Sequence, residues 1–188
     1  DLWNNENTKM KMHENLWPMK KIMLFLLSLM CLGGCADEPV TVDNTTVRQL
    51  DLKRFMGRWY EIARYDHKFE RGMTNVTATY TLLDNGRIEV VNEGLKDGKR
   101  KTANGKGKLP DASEPGKLKV AFFLWFYADY YVLDIAPDYS YALVGSSSDK
   151  YLWIMSRTKA LPQSVLTSLL DNLRRRGYDT TKLIWVRQ

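Results

Sequence analysis

The residues best suited to chemistry are two thiols, Cys31 and Cys35, the pair Asp66-His67, and three serines in the stretch Leu143 to Asp149. A Ser-His-Asp hydrolase needs nucleophile, base and orienting acid brought together. Here Gly145 is followed by Ser146, Ser147 and Ser148 with no closing glycine, and the stretch joins two strand patterns, so it makes no nucleophile elbow. His67 lies in a polar loop and reads as ordinary surface. No His, Cys and Asp group has zinc spacing, and there is neither a phosphate-cradling glycine loop nor a dinucleotide fingerprint. The expectation is a protein that is not an enzyme and needs no metal or cofactor. What remains is Cys35, which closes an apolar run at Leu32-Gly33-Gly34-Cys35 and is followed by Ala36-Asp37-Glu38-Pro39.

Upstream of that cysteine, Lys20 and Lys21 precede the apolar stretch Ile22 to Leu32, the basic and apolar regions of a secretory signal. The stretch is too short for a bilayer-spanning helix, which needs roughly 20 apolar residues. Leu32-Gly33-Gly34-Cys35 resembles the lipobox of bacterial lipoproteins. That resemblance implies that the Cys35 thiol is diacylated, that the signal is cut just before it, and that the new amino group takes a third chain. Several acyl chains, each contributing about 0.8 kcal/mol per buried methylene, would attach the protein stably to a membrane. Ala36, where an aspartate would signal inner-membrane retention, implies the outer membrane, with the protein lipid-anchored on its periplasmic side. The true start could be Met10, Met12 or Met19, and residues 1–18 stay outside the fold reading.

Losing residues 1–34 removes four basic and three acidic residues, so the net charge falls from +6 to +5. This is an ordinary solubility charge and gives no reason to expect nucleic acid as a partner. Both cysteines lie at or before position 35, so the remainder forms no internal disulfide and depends on a packed core. Three segments follow: 1–34 as extension and signal, 35–49 as acylated cysteine and polar tether, and 50–188 as one domain.

Within that domain the elements that must position any site are short strands. Val76, Ala78, Tyr80 and Leu82 alternate with threonines, Asp84-Asn85-Gly86 supplies a hairpin turn, and Ile88 and Val90 open the next strand. Further strands are expected at 101–109, 117–123, 129–136, 141–147 and 151–157, and the first at 57–66. Eight antiparallel candidates with short turns argue for an up-and-down sandwich or barrel, and eight strands make the smallest closed barrel able to hold one small ligand. Val165, Leu166, Leu169, Leu170 and Leu173 form one apolar stripe of a helix beginning at Pro162 and ending before Gly177. Residues 181–188 read as a strand returning to the sheet.

A barrel beginning with Gly57-Arg58-Trp59 after the short turn Asp51 to Met56 resembles the lipocalins. Asp129-Tyr130 matches the family's second region loosely, with Ala128 in place of threonine, and Arg157 supplies the arginine of the third. Stretches 58–80 and 151–158 are similar to the bacterial outer-membrane lipoprotein members. The resemblance implies an all-β, eight-stranded calyx with one C-terminal helix packed outside, and Arg157 over Trp59 at the closed end. It also implies a fatty acid or lysophospholipid ligand, stored or transported in the cell envelope.

Taking Trp59 and Arg157 as inward, strand parity points Glu61 and Ala63 into the barrel, together with Met155, Trp153 and Tyr151, provided neither strand is bulged. Glu61 then needs a partner, since a buried carboxylate is costly alone. The run 122–131 carries more rings than one strand face can bury, so some line a cavity, a rim or a partner surface. Phe123, Trp125, Tyr127 and Tyr131 are the ligand candidates there; Phe123 and Tyr131 also suit a plain core, and Trp125 does not. Lys68 and Arg71 could face a lysophospholipid phosphate at the mouth. A second reading is an envelope assembly lipoprotein whose barrel is filled by its own side chains and whose aromatic segment meets another protein or a second copy as a homodimer.

Overall fold

The computed structural model describes residues 41–188. The lipobox, Cys35 and Ala36 therefore lie outside the described residues.

The first element among the described residues is a single helical turn, α1 (Leu52–Phe55), whose N-terminal amides are capped by the Asp51 carboxylate at 2.9 and 3.1 Å. Eight strands follow: β1 (Gly57–Tyr65), β2 (Thr74–Leu82), β3 (Ile88–Lys96), β4 (Lys99–Lys108), β5 (Lys117–Ala121), β6 (Ala128–Ile135), β7 (Tyr141–Gly145) and β8 (Leu152–Ser156). Each pairs antiparallel with the next, and β1 pairs with both β2 and β8, which closes the barrel. A ninth strand, β9 (Leu183–Trp185), lies on β1 beyond the end of the β2 pairing. The C-terminal tail fills the gap where β1 and β2 part: the Asn75 amide donates to the Arg187 carbonyl, and the Gln188 amide donates to Glu61 O and Val76 O.

The alternation read from the sequence produces two apolar cores. Inside the barrel are Trp59, Ala78, Tyr80, Val90, Val132, Val144 and Met155. Outside, the wall residues Leu133, Leu143, Leu152 and Ile154 meet the stripe of the C-terminal helix α2 (Gln163–Arg175). Leu169 and Leu173 are its buried members, and burial of each contributes about 1.5–3 kcal/mol. Pro162 sits one position earlier than expected, as the residue flanking the helix and not its first residue. Gly177, at φ +83°, ends it: the Gly177 amide donates to Arg174 O and the Tyr178 amide to Leu173 O. Left-handed backbone at this position suits glycine.

The expected tether is partly docked. The Asp43 amide donates to Arg176 O, the Val47 amide to Val132 O, and the Arg176 guanidinium donates to Thr45 O and Leu133 O. Residues from Thr41 onward thus run along the barrel wall. Strand β5 ends at Ala121, so Phe122 and Phe123 belong to a loop and not to the strand expected over 117–123.

Candidate ligand-binding site

Strand direction assigns the two ends. β1 begins at Gly57 beside α1, so the loops after β1, β3, β5 and β7 gather at the far end. At the near end the Arg157 guanidinium lies 3.8 Å from the Trp59 ring centroid. It also donates to the carbonyls of Arg54, Met56 and Arg58 at 2.7–2.8 Å. Trp59 in turn donates from Nε1 to Phe55 O. These bonds tie α1 across the barrel as a floor.

Above the floor is a hollow of about 500 Å³ with the solvent of its open mouth included, of which about 70 Å³ is open to the centres of water molecules. Val76, Ala78, Val90, Val120, Val144 and Met155 give it apolar walls. Tyr80 and Tyr130, whose hydroxyls are 2.9 Å apart, border it, and Phe122 reaches in from the β5–β6 loop.

One wall is polar. Glu61 is 2% exposed and accepts from Arg64 Nη1 at 2.6 Å. Arg64 Nη2 donates to the carbonyl of Glu70, whose side chain folds back from the β1–β2 loop into the hollow. Trp153 Nε1 donates to Glu70 Oε2 at 3.4 Å, and His67 Nε2 lies 3.0 Å from the same oxygen. Burial, then the charge of Glu70, pushes the Glu61 carboxyl up to about 8, against the opposing pull of Arg64. Burial alone would raise Glu70 as well, but contact with His67, then Trp153 and Arg64, holds it below its ordinary value. The proton is therefore held more readily on Glu61 than on Glu70.

The sequence-derived candidates divide clearly. Glu61, Trp153 and Met155 line the hollow. Tyr151 stacks on Trp153 toward the mouth, with centroids 5.8 Å apart. Ala63 does not face inward: the β1–β8 register shifts between Glu61 and Ala63, and both Ile62 and Ala63 pack in the outer core under α2. This bulge turns the next residue, Arg64, back toward Glu61. Tyr131 packs on the outer core, leaving the interior to Tyr130. Tyr127 is also outside, beneath Lys108 Nζ at 4.4 Å from its ring centroid. Phe123 and Trp125 stand in solvent on the β5–β6 loop, so Phe123 has no core role. Lys68 and Arg71 are on the mouth loop, where Arg71 pairs with Asp66 at 2.8 Å and Lys68 rests over Phe69. His67 is not ordinary surface, since its ring packs against Trp153 and Tyr151.

Glu70, Val90, Tyr130 and Phe122 were not among the candidates. The alternation of β2 and β3 carried the signal for Val90. Nothing local in the sequence marks Glu70, because a loop must fold back to bring it in.

A family model for a lipocalin-like domain matches residues 50–188. The chain belongs to the lipocalin family. It is 40% identical over 173 residues to the outer membrane lipoprotein Blc of Vibrio cholerae, covering 90% of this chain and 99% of that one. It is 43% identical over 146 residues to the outer membrane lipoprotein Blc of Escherichia coli, covering 77% of this chain and 82% of its relative. Among solved structures, insecticyanin from the tobacco hornworm Manduca sexta superposes with a TM-score of 0.64 at 26% identity, covering 80% of this chain and 88% of that one. The lipocalin floor, wall and mouth described above lie entirely within the matched residues.

Proposed function

We propose that this lipocalin binds a single-chain lipid, a fatty acid or a lysophospholipid, and stores or transports it in the bacterial cell envelope while held to the outer membrane by acyl groups on Cys35. The observation that carries the reading is the open hollow with apolar walls above the Trp59–Arg157 floor. A narrow apolar hollow suits one acyl chain entering tail first, with binding dominated by burial at about 25 cal/mol per Å² removed from water. The polar head then stays at the mouth, where Lys68 has no carboxylate partner among the described residues while Arg71 is already engaged by Asp66. The relatives named outer membrane lipoprotein support the anchor and its compartment. The reading involves no catalysis.

The test is titration of tryptophan fluorescence, which Trp153 reports from the cavity wall, with palmitate, lysophosphatidylethanolamine and intact diacyl phospholipid. Saturable one-to-one binding of the single-chain lipids with a weaker diacyl response is expected. No saturable change with any of them overturns the reading. Replacing Lys68 and Arg71 together by Ala is expected to weaken the lysophospholipid relative to palmitate.

A further inference from the structure

The residues left unexplained by the cavity are the rings around its mouth. Phe123, Trp125 and Phe126 are 68%, 70% and 66% exposed in the β5–β6 loop, and Phe69 is 68% exposed in the β1–β2 loop at the same end. The loop is a built feature: Leu124 holds φ at +48°, the Phe126 amide donates to Phe123 O, and the Phe123 and Phe126 rings stack with centroids 6.3 Å apart. A cluster of large exposed rings of this size marks a contact surface.

Two observations say what covers it. The first is charge. Lys68, Lys99, Lys101 and Lys150 are exposed at this end and have no carboxylate within 4.0 Å among the described residues. Among the described acids at this end, Asp97 and Asp149 are similarly unpaired. The second is the position of the chain's N-terminal segment. A Cβ on Gly177 would sit 3.6 Å from Thr41 O. The following residue, Tyr178, packs edge-on against Tyr65, the last residue of β1, and its hydroxyl lies by Gly145, the last residue of β7. Thr41 therefore sits on the mouth side of the barrel, not the floor side. Six peptide steps separate it from Cys35 and reach at most about 20 Å.

We infer that the mouth is a membrane-docking surface: the Phe122–Phe126 loop and Phe69 enter the interface of an anionic phospholipid leaflet, and the surrounding lysines meet its head groups. Exposed aromatic rings suit the head-group level of a bilayer, and lysines near it are attracted to anionic lipid. The inference rests on acylation of Cys35, because the short link from the anchor then presents the mouth to the membrane. Docked in this way, an acyl chain passes between leaflet and hollow without crossing water, past Phe122, which borders both.

The experiment uses the acylated protein, extracted from membranes and reconstituted in phosphatidylethanolamine–phosphatidylglycerol vesicles with brominated acyl chains. With the Cys35 thiol acylated, Phe123→Cys supplies one reactive thiol for an environment-sensitive dye, and Lys159→Cys supplies a control at the floor end. Several-fold stronger bromine quenching at position 123 than at 159 is expected, reduced when Trp125 and Phe126 are also changed to Glu. Equal quenching at both positions, or none at 123, overturns the inference. So does a blue shift at 123 that is insensitive to bromine and accompanied by energy transfer between labelled molecules, which would show a second copy on the patch. The mass of the Cys35 peptide reads the anchor separately, so loss of acylation is distinguished from failure of the mouth to dock.

Discussion

Glu61→Gln is the substitution whose outcome the geometry determines most closely. It keeps the side-chain volume and an oxygen acceptor for Arg64, and removes the ionisation. In the native protein the carboxyl is pushed from an ordinary 4.5 up to about 8, first by burial and then by Glu70. Between those values the folded state holds a proton that the unfolded chain has released. Stability therefore falls as pH rises through this window, at about 1.4 kcal/mol per pH unit for a fully linked proton. Over the whole window the cost is on the order of 5 kcal/mol, complete above pH 8 and absent below the unfolded value. Glu70, held low, acts with the opposite sign, its stabilisation being lost as pH falls, and it remains in both proteins. Urea unfolding of wild type and Glu61→Gln from pH 4.5 to 9 should show nearly equal stabilities at the acid end and an advantage for the variant that grows from about pH 5 and levels off above about pH 8. A constant difference across the range, or a variant less stable than wild type at pH 8, would refute the reasoning.

Four further outcomes follow. Trp59→Ala removes the ring between Phe55 and Arg157 and should cost roughly 3–5 kcal/mol in urea unfolding; an unchanged midpoint would mean the floor is misassigned. In Gly105→Ala the new Cβ would stand 2.8 Å from the Phe122 ring and 2.9 Å from Ala121 O, so about 1–3 kcal/mol of stability is lost and the ring leaves the mouth. Faster lipid uptake in stopped flow is the accompanying sign. Arg176→Ala frees the segment from Asp43 to Val47 and should speed amide exchange at both ends of it while α2 stays protected. Cys35→Ser should abolish incorporation of labelled palmitate; persistent labelling would mean the lipobox reading is wrong.

The barrel was legible because alternation is a property of each strand alone. Val76, Ala78 and Tyr80 needed only their own spacing to be placed inside, and the stripe Leu169–Leu173 needed only helical spacing. The floor followed from resemblance, and Arg157 over Trp59 matches it. The site was legible only as far as parity held. Glu61, Trp153 and Met155 fell on the correct face, but the bulge at Ile62–Ala63 reversed Ala63 and brought in Arg64. Bulges depend on the partner strand, so single-chain spacing does not reveal them. Glu70 and His67 were hidden for a related reason: a loop folds back to place them, and their partner Trp153 is 83 residues away from Glu70. The aromatic run was recognised as too rich for one strand face. Its allocation between hollow, rim and outer wall required knowing that β5 stops at Ala121.

The central claim, that an acyl chain lies inside this barrel, is tested most directly by photolabelling. Palmitate carrying a diazirine at its methyl end would be bound to the protein and illuminated, and the modified residues located by mass spectrometry. The account predicts labels on the inner walls near the floor, at Val90, Val144 or Met155, and their loss when unlabelled lysophospholipid competes. Labels confined to the exposed rings of Phe123 to Phe126, or undiminished by competitor, would contradict it.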